Sequence, residues 1–172
     1  PFGDVYVASM QKNNLCREQS GMFIYRVVEG VEGFASNSSN TAGGSLHRGY
    51  EFSEYINASS DQLMNEAPVS IKKYSLGYQG RRLESPEDDI SSKYFVYKES
   101  YILSSQLKKK YWIVEDRLTR ERLGEIIDFY YYPGWMDNVL LSWIGNYKPL
   151  RCKREPYFIW DLYTSVLIKA VK

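Results

Sequence analysis

The stretch that decides the predicted fold is residues 94–132, YFVYKESYILSSQLKKKYWIVEDRLTRERLGEIIDFYYY. It contains three segments rich in β-branched and aromatic residues, 94–103, 108–118 and 123–132, separated by short polar stretches. Such runs are typical of strands joined by hairpins. The pattern therefore predicts three consecutive antiparallel strands.

The pairing of the last two strands follows if residues 119–122 form a four-residue loop that places Leu118 opposite Leu123. One face of the two strands is then apolar: Trp112, Val114, Leu118, Leu123, Ile127 and Phe129. The other face carries Glu115, Arg117 and Asp128. A slip of one residue would move charges into the core, so we expect a fixed register.

Helices are predicted near both ends of the chain. Residues 5–19 are compatible with a short amphipathic helix, and Gly21 follows near its C-terminal end. Pro156 is placed for the first turn of a second helix, with apolar residues at helical spacing up to Ala170. Together with the antiparallel sheet, these helices predict a single α+β domain over residues 1–172.

The remaining segments divide into strands and connections. Residues 22–28 and 71–78 have strand composition, and residues 60–66 are predicted to form one helical turn. Residues 35–49, ASNSSNTAGGSLHRG, predict a long loop, and residues 81–92 predict an exposed connection around a proline.

Composition excludes several classes of protein. The chain has 172 residues, 44% of them hydrophobic and 25% charged, which is ordinary for a globular domain. Its net charge of +1 provides no overall field for nucleic acid or anionic lipid. No run of eighteen apolar residues is present, so the sequence predicts no membrane-spanning helix.

Enzyme and metal motifs are nearly absent. His47 is the single histidine, which excludes a multi-histidine metal site within one chain. No nucleophile elbow, P-loop or dinucleotide fingerprint occurs. Ser45 lies two residues before His47, but neighbours this close in sequence rarely reach catalytic geometry. We therefore expect no catalytic residue, no metal ligand and no cofactor.

Cys16 and Cys152 are the only two cysteines, and neither belongs to a C-x-x-C motif. The chain opens at Pro1 without methionine, so either a leader has been removed or the sequence is a trimmed piece. Together with the even count of cysteines, this start favours a disulfide in an oxidising compartment. The alternative is two buried free thiols that pack as small apolar side chains.

Aromatic residues are unusually frequent, with 16 Tyr, 7 Phe and 4 Trp. Most of them suit sheet packing, but the segment YYYPGW at 130–135 places rings at the end of a predicted strand. We interpret Tyr130, Tyr132 and Trp135, together with the basic Arg154, as contacts for another protein. Core packing and sugar stacking are the alternatives for these rings.

Residues 15–28, LCREQSGMFIYRVV, resemble a segment of a family of small proteobacterial envelope proteins, many of them predicted lipoproteins. The similarity is carried by Cys16, Gly21, Tyr25 and Val28, and extends to Leu-Gly-Glu at residues 123–125. The family has no associated catalytic residues, and its motifs are structural.

The resemblance implies a periplasmic or extracellular protein, with any lipid anchor on a cysteine upstream of Pro1. Some members of the family look like immunity proteins encoded beside lipase-type effectors of type VI secretion systems. The implied function is non-enzymatic binding of another protein, and in its specific form an immunity protein that blocks a secreted lipase-type toxin. A structural subunit of a cell-envelope assembly or filament, a carbohydrate-binding module and an enzyme of unrecognised type are the alternatives.

Overall fold

A computed structural model of the chain describes residues 2–57, 70–77, 81–132, 150–152 and 158–170. These residues form two compact units, each assembled from three separated stretches. Unit 1 comprises Pro1–Gly21, Ser100–Tyr111 and Ile126–Pro156, and unit 2 comprises Met22–Glu99, Trp112–Glu125 and Tyr157–Lys172. Because the stretches interleave, the units are not two domains in succession. The single domain expected over residues 1–172 stays a prediction.

The described part of the chain consists mainly of strands, with helices near both ends and after the third strand. The helices are α1 (Phe2–Gln19), α2 (Ser39–Ser45) and α3 (Ile159–Val166), with a 3-10 helix at Leu46–Arg48. The strands are β1 (Gly21–Ile24), β2 (Val28–Val31), β3 (Gly33–Ser36), β4 (Phe52–Ile56), β5 (Ile71–Leu76), β6 (Arg82–Glu87), β7 (Tyr94–Ile102), β8 (Leu107–Asp116), β9 (Arg122–Tyr131), β10 (Leu150–Arg151) and β11 (Leu167–Lys169).

Unit 2 contains residues of eight strands that lie side by side in the order β1-β9-β8-β7-β3-β4-β5-β6. Strand β3 is parallel to both of its neighbours, β4 and β7, whereas β4, β5 and β6 are antiparallel. A small second sheet pairs β11 with β2. The α+β class is therefore confirmed. The sheet is mixed rather than wholly antiparallel, because the chain crosses from β3 to the parallel β4 through α2.

The prediction of a loop over residues 35–49 is wrong, because most of this segment is helical. Ser38 caps α2, and its Oγ accepts from the Thr41 N–H at 3.4 Å. Ala42 and Leu46 are buried against Tyr74, which gives the segment a tertiary reason to be helical. The serine that suits a loop is equally suited to begin a helix.

The exposed connection predicted over residues 81–92 is also wrong in part, because its centre is strand β6. Strand β6 lies at the edge of the sheet, and Pro86 sits opposite Lys72 of β5. An edge strand tolerates proline because its outward N–H needs no partner strand.

The three strands predicted between residues 94 and 132 are confirmed as β7, β8 and β9. The turn between β8 and β9 comes two residues earlier than predicted, since the Asp116 N–H donates to the Glu121 carbonyl at 2.9 Å. The Asp116 carboxylate accepts from the Leu118 N–H at 3.0 Å and so fixes the turn at residues 117–120. Leu118 is 70% exposed in this turn instead of pairing with a strand.

The helix predicted over residues 5–19 is confirmed by α1, and the strand over 71–78 by β5. The strand predicted over 22–28 is instead two short strands, β1 and β2. The chain bends between them where the backbone N–H groups of Tyr25 and Arg26 both donate to the Leu123 carbonyl. Residues 60–66 lie outside the described residues.

The C-terminal helix is present but shorter than predicted. It begins at Ile159, where the Phe158 N–H donates to the Asp161 carboxylate at 2.8 Å, and it ends at Val166. The following residues form strand β11, because Leu167 pairs with Val28 of β2. The proposed start at Pro156 lies outside the described residues.

The core of unit 2 is organised around three aromatic rings. Phe34 of β3 lies 5.1 Å from Tyr50 and 5.0 Å from Tyr163 of α3, measured between ring centroids. The buried Tyr50 hydroxyl donates to the Leu167 carbonyl at 2.5 Å. Helix α3 lies against β9 at Gly124, where an added Cβ would come within 2.8 Å of Val166. A larger residue would therefore displace the helix.

Unit 1 contains α1, β10 and the adjoining residues of β7, β8 and β9. Cys16 of α1 and Cys152 form a disulfide with a Cα–Cα distance of 5.4 Å, which confirms the predicted pair. Strand β10 is antiparallel to β9 and places Arg151 opposite Tyr130. Among the described residues, no helix is both long enough and apolar enough to cross a bilayer.

Candidate functional site

Two of the four residues predicted to contact a partner are described, and both lie at the end of β9 in unit 1. Tyr130 is 8% exposed, and Tyr132 is half-buried. Trp135 and Arg154 lie outside the described residues.

Cations cover the rings of these two tyrosines. The Lys110 Nζ lies 3.7 Å from the centroid of Tyr130, and the Arg151 guanidinium lies 5.1 Å from the same centroid. The Lys108 Nζ lies 4.9 Å from the centroid of Tyr132. Such contacts hold each cation over an aromatic face. We call these five residues the lysine–tyrosine surface.

Asp128, a buried acid next to the lysine–tyrosine surface, forms an ion pair with Arg151. Two nitrogens of Arg151 donate to Asp128 Oδ2 at 3.0 and 2.9 Å. Burial raises the pKa of Tyr130 to about 12, the negative charge of Asp128 acts in the same direction, and Arg151 opposes it. Tyr130 is therefore a neutral phenol at neutral pH.

Three consecutive apolar residues are exposed at the end of β7, in the part of the chain that belongs to unit 1. Tyr101, Ile102 and Leu103 are 51%, 72% and 50% exposed. The turn that follows is tied down, since the Leu103 N–H donates to the Leu107 carbonyl at 2.9 Å. We call Tyr101, Ile102 and Leu103 the hairpin tip.

The hairpin tip was not singled out from the sequence. Its signal was available, because three adjacent apolar residues break the alternation expected of a half-buried strand. Exposed apolar residues that form a contiguous patch mark a binding surface more often than isolated ones do.

Unit 2 contains a second candidate, a cavity of about 470 Å³ between the α2 region and α3. Its polar and aromatic lining comprises Asn40, Thr41, His47, Arg48, Trp160 and Tyr163. Sequence reasoning missed this site because residues 35–49 were predicted to be a loop, and only the fold brings them to the C-terminal helix.

The neighbouring Ser45 and His47 do not form a nucleophile–base pair. The Ser45 hydroxyl is fully buried and donates to the Ala42 carbonyl at 2.7 Å, whereas His47 is exposed beside the cavity. In the part of the chain that the structure describes, no group of three or more His, Cys, Asp or Glu could hold a metal ion.

Glu54 of β4 is a fully buried carboxylate that the sequence did not flag. It accepts from the Ser91 N–H at 2.9 Å, from the Ser91 hydroxyl at 2.5 Å and from the Ser92 N–H at 3.0 Å. Burial alone would raise the pKa of Glu54, but these hydrogen bonds lower it below its usual range. The carboxylate is saturated by donors, so its role is to fix residues 91 and 92 to β4.

The two segments that carry the family resemblance are hydrogen-bonded to each other in unit 2. The Tyr25 hydroxyl donates to Glu125 at 2.5 Å, and Arg122 donates to the same carboxylate group at 2.8 Å. Burial raises the pKa of Tyr25 to about 12, the bond to Glu125 adds to the rise, and Arg122 opposes it. These residues hold β1 to β9, which is a structural role.

Comparison of the chain with models of known protein families, with characterised proteins and with solved structures found no significant match. The geometry of unit 1 and of the cavity in unit 2 is therefore the basis for proposing a function.

Proposed function

We propose that this chain is a non-enzymatic periplasmic protein that binds another protein through the hairpin tip and the lysine–tyrosine surface of unit 1. The observation that carries the proposal is the exposure of Tyr101, Ile102 and Leu103 at the end of a hairpin whose second strand bears Lys108 and Lys110. Apolar anchors beside a charged rim are the usual anatomy of a protein interface.

The chemistry of this surface defines the partner. Burial of three exposed apolar side chains lowers the free energy of the complex, so these residues favour a partner with an apolar cleft. The cations of this surface are Lys108, Lys110 and Arg151, and Arg151 pairs with Asp128. Charge complementarity then favours a partner whose cleft has an acidic rim.

The surface is also rigid enough to block a cleft. The turn after the hairpin tip is held by the Ser104 hydroxyl, which accepts from the Leu107 N–H at 3.1 Å. Unit 1 also contains the disulfide between Cys16 and Cys152. A preformed binding surface loses less conformational entropy on association than a flexible one.

In its specific form, the proposal is that the partner is a secreted lipase-type toxin and that this protein confers immunity to it. A lipase cleft is apolar because it accommodates acyl chains, and an inserted hairpin tip would exclude substrate. The disulfide supports an oxidising compartment such as the periplasm. The resemblance of residues 15–28 to envelope proteins supports the same location.

The first test asks whether a lipase-like toxin is encoded beside the gene, and the absence of one would count against the immunity proposal. If one is present, the binding test uses that toxin and the purified full chain. We expect stoichiometric inhibition of ester hydrolysis, with roughly tenfold or greater weakening in the Ile102→Asp and Lys108→Glu variants. The matched controls are Leu83→Asp, at an exposed leucine of β6, and Lys98→Glu, at an exposed lysine of β7 in unit 2. Inhibition that the control variants reduce equally would contradict the proposed surface.

The alternative function is a structural subunit of a cell-envelope assembly. A stoichiometric complex from envelope extract that contains no toxin would support this alternative and end the immunity proposal. Its interface should be larger and more apolar than that of an inhibitor. Sugar stacking on Tyr130 has less support, because Lys110 and Arg151 lie over that ring.

A further inference from the structure

The cavity in unit 2 has the size and lining of a small-molecule site. Its volume of about 470 Å³ falls within the range of ligand pockets in proteins. Its lining includes the buried Thr41 and Tyr163 and the exposed Trp160 and His47. Apolar walls with a few convergent polar groups are the usual composition of such pockets.

Arg48 is the main charged group of the cavity. Its guanidinium lies 5.3 Å from the centroid of the Trp160 ring, and Trp160 is itself stacked on Phe158 at 4.3 Å. Two stacked rings therefore orient the cation. Burial raises the pKa of the Tyr163 hydroxyl, and the neighbouring Arg48 guanidinium opposes that rise.

Within the described part of the chain, Arg48 lacks the carboxylate partner that several other arginines of the molecule have. Arg26, Arg122 and Arg151 each lie within 2.9 Å of a carboxylate oxygen. Among the described residues, no carboxylate is within ion-pair distance of Arg48, and the cavity lining includes no acid. Asp161, the acid of α3, accepts the Phe158 N–H that begins the helix.

We infer that this cavity binds a small organic anion, with its carboxylate or phosphate group on Arg48 and its apolar body against Trp160 and Ile159. A guanidinium matches the geometry of both anions through paired N–H donors. The Asn40 amide and the Thr41 hydroxyl supply further hydrogen-bonding groups in the lining. The site belongs to unit 2 alone, so it does not depend on the protein-binding proposal for unit 1.

The test is an NMR titration of the full chain that follows the indole N–H resonance of Trp160, assigned by its loss in Trp160→Phe. Benzoate and phenyl phosphate are the anionic probes, and benzyl alcohol is the uncharged match. We expect saturable shifts with at least one anion at a dissociation constant of about 1 mM or tighter. Benzyl alcohol should bind roughly tenfold more weakly or not at all.

A series of variants tests whether Arg48 is the group that binds the anionic end of the ligand. Arg48→Gln should weaken anion binding roughly tenfold, and Arg48→Lys should restore part of it. Arg26→Gln is the control, because Arg26 is an exposed arginine of the same unit that pairs with Glu121. If the spectrum of Arg48→Gln loses its native resonance dispersion, that variant is unfolded. The anion affinities of Arg48→Lys and the unchanged chain are then compared instead.

Three results would overturn the inference. The first is the absence of a saturable Trp160 shift with either anion in the millimolar range. The second is equal affinity for benzyl alcohol and benzoate, which would mean that the cavity does not read charge. The third is equal weakening by Arg26→Gln and Arg48→Gln, which would indicate a general charge effect.

Discussion

The two units of this molecule are stabilised in different ways. Unit 2 has a core of edge-on and tilted rings, in which Phe34, Tyr50 and Tyr163 are all buried. In the described part of unit 1, the prominent contacts are the Cys16–Cys152 disulfide and cations that lie over tyrosine rings. The covalent link therefore lies in the unit whose apolar residues Tyr101, Ile102 and Leu103 are exposed.

The largest expected effect tests the covalent side of this comparison. Replacing both Cys16 and Cys152 by Ser should lower the free energy of unfolding by about 4–5 kcal/mol, because the bond closes a long loop of the unfolded chain. The two cysteines are separated by 136 positions in sequence. Urea denaturation measures the change, and reduction of the unmodified chain should reproduce it.

Hydrogen exchange can then locate the loss within the molecule. The loop between the cysteines includes most of unit 2, so loss of its closure lowers protection in both units. We expect the double Ser variant to lose additional amide protection at residues 126–131 of unit 1, where the bond is located, compared with residues 33–36 of unit 2. Equal losses in both segments would show that the disulfide stabilises the two units alike, and the comparison would fail.

The second largest effect is expected at the buried acid of unit 2. Glu54→Gln should cost about 2–3 kcal/mol at neutral pH, since the carboxylate loses bonds from Ser91 and Ser92 and the new amide presents donors to donors. Glu29→Gln, at an exposed glutamate of β2, is the matched control and should change stability little. Thermal or urea unfolding provides the measurement.

The same variant predicts a pH dependence. Because the pKa of folded Glu54 lies below its ordinary value of 4.5, the carboxylate stabilises the fold fully above that value. This contribution is lost as the pH falls through the lowered pKa. The stability difference between the unmodified chain and Glu54→Gln should therefore shrink in acid, and a difference that grows in acid would contradict the assignment.

A smaller effect is expected from the hydroxyl at the centre of the aromatic core. Tyr50→Phe keeps the ring but removes the donor to the Leu167 carbonyl, so the loss should be about 1 kcal/mol. Tyr55→Phe is the control, since the partner of its hydroxyl is Asn57 at 3.4 Å. Equal losses of stability in the two variants would mean that the buried hydrogen bond of Tyr50 contributes no more than the exposed one of Tyr55.

The smallest effect on stability is expected at the lysine–tyrosine surface. Lys110→Met keeps the apolar stem but removes the cation 3.7 Å from the Tyr130 ring, so the loss should be about 0.5–1 kcal/mol. Lys98→Met, at an exposed lysine of β7, should change stability less. A loss of several kcal/mol at Lys110 would assign this surface a structural role instead of a binding role.

The sequence was informative where local pattern and tertiary context agree. The composition of residues 94–132 predicts β7, β8 and β9, and the two cysteines predict the disulfide. Helical spacing near both ends predicts α1 and α3 within a few residues. For each of these elements, the local propensity, the apolar pattern and the tertiary packing favour the same structure.

The sequence was misleading where one residue type serves two structures. Ser38 and its neighbours suit a loop, but the burial of Ala42 and Leu46 makes the segment helical. The turn after β8 was misplaced, because the Asp116 side chain and not the apolar pattern fixes it. The cavity could not be predicted at all, since only the fold brings Arg48 to Trp160.

Strand β3 has a consequence for the order in which the molecule can assemble. All four of its residues are buried, and it is flanked by β4 on one side and by β7, at residues 95 and 96, on the other. Pairing across so long a separation is slow, because the loop must close before the contacts form. Until β7 arrives, one edge of β3 stays open to strands of other chains. We therefore expect chains that end before residue 94 to aggregate more readily than the complete chain.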